Sequence, residues 1–326
     1  MDWKPLAIVI AIALISLALI GSPATWLTLT IAGLAMGMIL FLAASGLTLV
    51  FGLMDVLNFG HGIFIAIGAF VASTLLGYLY AAGAGGGFWS DAVILLVAAI
   101  ASMVVAGIAG WCFERLIVKT VYGDHLKQIL VTTGGLIIGI ELNKVIWGSA
   151  QRSLNLPESW RGSLSIAGVS AEKYRLAAIV LGAIVFGAMA WTFSRTKIGL
   201  LIRAGVQDRE MVESFGYRIS TLFVIVFVAG SALAGFGGLM WGLFQQNITA
   251  EMGAQLNILI FIVIIIGGLG SVPGALTGAV LIGLSTNYVG FLFPIASQFA
   301  NIGVMVLILI WRPQGLFPVA SSRGQG

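Results

Sequence analysis

Few residues in this chain have the chemistry to act on anything, so their positions carry most of the information. Asp55, Asn58 and His61 interrupt a long apolar run, SGLTLVFGLMDVLNFGHGIFIAIGAF at 45–70, with Gly52, Gly60 and Gly62 around them. A glycine-flanked polar break between two helices is what a discontinuous helix or re-entrant turn needs. It frees backbone groups that can bind a ligand where protein or water surrounds them. The same residues also fit a tight turn in water, with Asn58 capping the next helix and His61 solvated. A second polar set lies at 128–148, QILVTTGGLIIGIELNKVIWG. Thr132 and Thr133 either bond back to helix carbonyls or line a path. Glu141 sits about one turn from the helix end, where Lys144 at i+3 can pair with it; an acid within a span otherwise faces a partner or a cavity.

What is missing narrows the chemistry further. No Gly-Lys dipeptide occurs, so there is no Walker A loop and no ATP site in this chain. Neither GxSxG nor HExxH is present, and His61 and His125 are the two histidines, too few for a His-rich metal site. The single cysteine, Cys112, cannot form an internal disulfide. With no catalytic pair at a common depth, the chain reads as one that conducts or transports and not as an enzyme. No metal and no bound cofactor are expected.

The elements that must position these residues are helices in lipid. Of 326 residues, 60% are hydrophobic and only 9% charged, against roughly 25% charged in soluble domains. Apolar runs of about 20 residues indicate an all-α, polytopic transmembrane helical bundle. Ten segments are read at 5–21, 29–52, 62–82, 91–113, 127–147, 175–194, 219–243, 255–271, 274–293 and 297–311. The first is taken as a retained helix, although a short apolar run after Lys4 also fits a signal peptide. The whole of 1–326 is read as one membrane domain. With both termini cytoplasmic, eleven of sixteen Lys and Arg fall inside, and Lys144, Arg152, Arg161, Lys173 and Arg175 fall outside. That is the bias expected of cytoplasmic loops, and it puts 148–174 on the outer side. Forty-four glycines, with Gly33-x3-Gly37, Gly135-x3-Gly139, Gly274-x3-Gly278 and the run GSALAGFGGLMWG at 230–242, predict close helix packing.

One stretch does not suit lipid. RTKIGLLIRAGVQDREMVESFGYR at 195–218 holds five of the sixteen basic residues and a quarter of the acids. A helix there places Ile202, Val206, Met211, Val212 and Phe215 on one stripe and leaves Arg203, Asp208, Arg209, Glu210 and Glu213 wet. Gly216 is placed to end it. Such a surface is offered either to a cytoplasmic partner or to the membrane interface.

Five stretches, in order, resemble the permease subunits of branched-chain amino acid ABC transporters of the LivH type. They are GLTLVFGLMDVLNFGHGIFIAIGAFVA at 46–72, ILVTTGGLIIGIELNKVIWG at 129–148, IRAGVQDREMVESFG at 202–216 with FVAGSALAGFGGLMWG at 227–242, GGLGSVPGALTGAVLIGL at 267–284, and RPQGLF at 312–317. The resemblance implies an importer of the bacterial cytoplasmic (inner) membrane. Its partners would be a second, LivM-like permease, two cytoplasmic ATP-binding subunits that use the ATP, and an extracytoplasmic substrate-binding protein. By the same resemblance, 195–218 contains the coupling helix that docks on an ATPase. Arg203, Asp208, Arg209, Glu210, Val212, Glu213 and Gly216 would be its working residues. Ser45, Thr48, Asn58, His61, Thr132, Thr133 and Glu141 are the candidates for the path or its gate. The chain departs from the family in carrying Val212 and Ser214 where small residues are frequent. VQDREM at 206–211 leaves a urea or short-chain amide permease of the same group open. A stand-alone secondary transporter is the reading from another class, and of the intramembrane acids only Glu141 is assigned to it as a coupling-ion site.

Overall fold

The computed structural model describes residues 4–166, 168–196, 199, 212, 216 and 219–318. Ten α-helices occur among them: α1 Lys4–Ile20, α2 Pro23–Met54, α3 His61–Ala81, α4 Phe88–Leu116, α5 His125–Trp147, α6 Lys173–Arg195, α7 Ile219–Gln245, α8 Met252–Gly267, α9 Val272–Leu292 and α10 Ser297–Trp311. Each overlaps one of the ten apolar segments. Seven of them, α2 to α7 and α9, are long and apolar enough to cross a membrane. The other three, α1, α8 and α10, have 17, 16 and 15 residues. At 1.5 Å per residue a 16-residue helix is about 24 Å long, less than the roughly 30 Å of a hydrocarbon core. Among the described residues, then, seven of the ten apolar segments form helices of spanning length and three form shorter apolar helices.

The α2 helix begins six residues earlier than the hydropathy pattern predicts. Pro23 is suited to a first turn, where its missing N–H has no helical partner, and the Trp26 N–H already bonds the Ser22 carbonyl at 2.9 Å. The loop at 148–174 also carries structure that composition did not signal. Two short antiparallel pairings form, β2 Ser163–Ile166 with β3 Val169–Glu172, and β1 Arg152–Ser153 with β4 Asn247–Ile248.

The chain divides into two compact units. One comprises 1–41, 160–187 and 259–326. Within it Gly33 and Gly37 of α2 meet α9 at backbone distance, since a Cβ at either would lie 2.9 Å from an α9 main-chain atom. Thr30 and Tyr288 share a hydroxyl hydrogen bond of 2.8 Å across the same pair. The turn between α8 and α9 takes Gly268 at φ +99 and Gly270 at φ +77, and the Ser271 hydroxyl accepts the Gly274 N–H at 3.2 Å. The RPQGLF segment folds onto that turn, with the Leu316 N–H donating to the Ile266 carbonyl at 2.9 Å.

The second unit comprises 42–159 and 188–258 and contains the polar break. Its core is α7 against α2, α3 and α4. The glycine run of α7 makes this possible: Gly230, Gly235 and Gly238 face Gly46, Ser102 and Ile65, and a Cβ on Gly238 would stand 1.9 Å from the Ile65 carbonyl oxygen. Lipid tails are as apolar as leucine, so close van der Waals packing and interhelical hydrogen bonds must hold such helices. Ser102 adds one of the latter, donating to the Gly68 carbonyl at 2.8 Å.

Candidate functional site: a buried break between two helices

The α2 helix ends at Met54 because the chain turns at Asp55, whose φ is +52. Aspartate tolerates this left-handed conformation better than most side chains. Asp55 itself stays at the surface, 3.5 Å from the His125 imidazole. The next residues turn inward, and α3 starts at His61.

Asn58, His61, Gln128 and Thr132 are all 0% exposed. That excludes solvation of the Asn58 and His61 side chains; the break is buried on their side, while Asp55 is exposed and Leu57 and Phe59 are half-buried. The Leu57 and Phe59 peptide groups, at half-buried positions, lie outside both helices, and side chains bind them. The Leu57 N–H donates to Gln128 Oε1 at 3.1 Å, and the Phe59 N–H donates to Thr132 Oγ1 at 3.0 Å. Gln128 and Thr132 stand four residues apart on α5 and so share a face. From α8, Asn257 Nδ2 donates to the Phe59 carbonyl at 2.8 Å. Within the turn, the Gly60 N–H bonds Asn58 Oδ1 at 2.9 Å. His61 Nε2 lies 3.1 Å from the Ala43 carbonyl, which can only accept, so the ring proton is on Nε2.

An aromatic group closes the site on one side. Phe64 meets Phe113 and Phe227 edge-on at 5.6 and 5.9 Å, and His61 meets Phe64 at 6.2 Å. The Phe113 ring also covers Gly60, where a Cβ would be 2.5 Å away. Four polar atoms in this region are buried with no hydrogen-bond partner: Asn58 Nδ2, His61 Nδ1, Gln128 Nε2 and Asn257 Oδ1.

The other sequence candidates fall elsewhere. Ser45 and Thr48 are buried on α2 and bond back to the Leu42 and Ala44 carbonyls. Thr133 is half-buried. Glu141 is exposed and pairs with Lys144 at 3.1 Å; Lys144 also reaches Glu251 at 2.9 Å. Among the described residues the buried acids are Glu114 and Asp91. Glu114 accepts the Tyr122 hydroxyl, and Asp91 accepts those of Tyr80 and Ser159. Of the coupling candidates, Arg203, Asp208, Arg209, Glu210 and Glu213 lie outside the described residues. Val212 is helical and 4% exposed, and Gly216 has φ +85.

Sequence reasoning missed Gln128, Asn257 and Glu114. The first two had a usable signal. Gln128 is i−4 from Thr132, and Asn257 is the one amide within LNILIFIVIII at 256–266, where an unpaired polar group is costly.

The profile of a family described as branched-chain amino acid transport system / permease component matches residues 29–310, which include the break and both helices that bind it. The chain is 28% identical over 295 residues to the high-affinity branched-chain amino acid transport system permease protein BraD of Pseudomonas aeruginosa, covering 87% of this chain and 93% of that one. LivH of Escherichia coli K12 is also 28% identical over 295 residues, covering 87% and 92%. LivM of Salmonella typhimurium is 26% identical over 306 residues, covering 87% and 69%. No solved structure matches. With seven helices able to span a bilayer, this is a multi-pass membrane protein, and it belongs to the branched-chain amino acid transport system permease family.

Proposed function

We propose that this chain is a membrane permease subunit of an ATP-driven importer for branched-chain amino acids. The observation that carries the reading is its similarity to BraD and LivH over 87% of this chain and more than nine-tenths of theirs. The buried break supplies what a path needs at its narrowest part, polar groups held inside protein. The chain pairs with a LivM-like permease in the bacterial inner membrane, with both termini in the cytoplasm. Two cytoplasmic ATPases consume the ATP, and an extracytoplasmic binding protein delivers the substrate. The segment 195–218 docks on one ATPase, so that closure of the ATPase dimer switches the membrane path between two states. Arg203, Asp208, Arg209, Glu210, Val212 and Glu213 form the docking surface and Gly216 ends its helix.

The test is uptake of radiolabelled leucine by proteoliposomes holding the two permeases and the ATPases, supplied with binding protein and ATP. Gly216→Pro and Glu213→Lys are expected to abolish uptake while the protein remains in the membrane; unchanged uptake would remove the coupling assignment. Competition by urea but not by leucine would move the substrate to the urea and amide branch. Uptake by the chain alone, driven by a proton gradient, would replace the importer with a secondary transporter.

A further inference from the structure

We infer that Gln128 and Asn257, with Thr132, are the positioning residues of the gate: they hold the Leu57–Gly60 backbone in a closed arrangement, and opening hands those hydrogen bonds to water. The inference rests on the importer reading and adds the element that moves.

Three observations lead to it. The first is where the bonds come from. The α3 helix has Gly60 at its N-cap with no side-chain cap, and the segment satisfies itself only in part, through the Gly60 N–H on Asn58 Oδ1 and the His61 N–H on the Asn58 carbonyl. The two polar ends of Phe59 are instead bound from different helices, the N–H by Thr132 of α5 and the carbonyl by Asn257 of α8. Gln128 adds the Leu57 N–H. The backbone of the break is thus strapped between α5 and α8.

The second is what the straps leave unused. Gln128 bonds through Oε1 while its Nε2 has no partner, and Asn257 bonds through Nδ2 while its Oδ1 has none. Asn58 Nδ2 and His61 Nδ1 are in the same condition. With Nε2 carrying the proton, His61 Nδ1 is an acceptor, so two donors and two acceptors are unmet. Buried polar atoms that protein leaves unmet are bound by water, and water can donate and accept at once, so these four atoms mark where water meets the break.

The third is freedom to move. Gly62 of α3 meets Gly253 of α8 backbone to backbone, with a Cβ on Gly62 only 2.5 Å from the Gly253 carbonyl oxygen. A glycine-to-glycine contact carries no interlocked side chains, so at this crossing a shift of α3 along α8 meets no rotamer barrier.

The test uses the assembled transporter in proteoliposomes. Wild-type uptake is measured first, and its absence would count against the importer reading and not against the gate. Where uptake is present, Asn257→Leu and Gln128→Leu are expected to lower substrate moved per ATP at least tenfold and to speed efflux from preloaded vesicles without ATP. Thr132→Ser, which keeps the hydroxyl, is expected to retain the wild-type ratio, and Thr132→Val to behave like the leucine variants. An unchanged ratio and unchanged efflux in both leucine variants would overturn the inference. A second measurement does not depend on those variants folding. In a Cys112→Ser background, Val56→Cys, at a position 0% exposed here, is treated with a membrane-impermeant maleimide. Labelling at least tenfold faster in one nucleotide state than in the other supports the gate, and equal labelling in both overturns it.

Discussion

Gly46 of α2 and Gly230 of α7 touch through their backbones: a Cβ on Gly46 would lie 2.0 Å from the Gly230 carbonyl oxygen. The Ala43 carbonyl that binds His61 lies one helical turn before this contact. The crossing therefore fixes the floor on which the break rests. Gly46→Ala must separate the two helices, and overpacking of this kind costs roughly 1–3 kcal/mol. A Cβ on Gly77 of α3 would have no neighbour within 4 Å, so Gly77→Ala is expected to be neutral or stabilising by about 0.5–1 kcal/mol through helix preference. Thermal denaturation in detergent separates the two, and equal melting temperatures would contradict the packing described.

Thr132 and Thr133 are adjacent, yet only the first carries the break. Thr132→Val keeps the shape but removes the hydroxyl that accepts the Phe59 N–H, at a cost of roughly 1 kcal/mol. Thr133→Val, at a half-buried position, is expected to melt within a degree or two of wild type. A larger loss from Thr133→Val than from Thr132→Val would reverse the assignment of the two hydroxyls.

Glu114 bears on the choice between ATP-driven and ion-driven transport. It is buried near the end of α4 and accepts the Tyr122 hydroxyl at 2.5 Å. If that bond is its role, Glu114→Gln preserves an acceptor and retains uptake within about threefold, while Glu114→Leu removes the hydrogen bond to Tyr122 and costs on the order of 1 kcal/mol. Complete loss of uptake in Glu114→Gln, with normal melting, would indicate a proton-carrying carboxyl.

Lys144 bridges α5 to the loop before α8 through Glu251. The Lys144 ammonium, bonded to it, holds the Glu251 carboxyl below the usual glutamate range. A lowered folded-state value means the ionised form is favoured by folding. The stabilisation is full above the unfolded value, about 4.3, and is lost as pH falls through the lowered one. Melting temperatures of wild type and Glu251→Gln should differ most near neutral pH and converge in acid. The pair is partly exposed, so the gap should also shrink in high salt. A gap that widens on acidification would show the sign to be wrong.

Much of the fold was legible because lipid imposes one rule along the chain: each spanning segment must be apolar and must satisfy its own peptide groups. Every apolar run accordingly became a helix, and glycine spacing marked where helices meet. Spans were harder to count, since α1, α8 and α10 are apolar but short. The break at 55–61 was also visible as polar residues among glycines. Whether it faced water could not be read there, because a solvated turn and a buried one use the same residue types. Burial depends on what α5 and α8 bring from about 70 and 200 residues away. Only the tertiary structure places Gln128, Thr132 and Asn257 on that backbone and buries Glu114 and Asp91, whereas the Glu141–Lys144 pair follows the i+3 spacing already in the sequence. Hydropathy is a local sum, whereas the satisfaction of a buried peptide group depends on its neighbours in space.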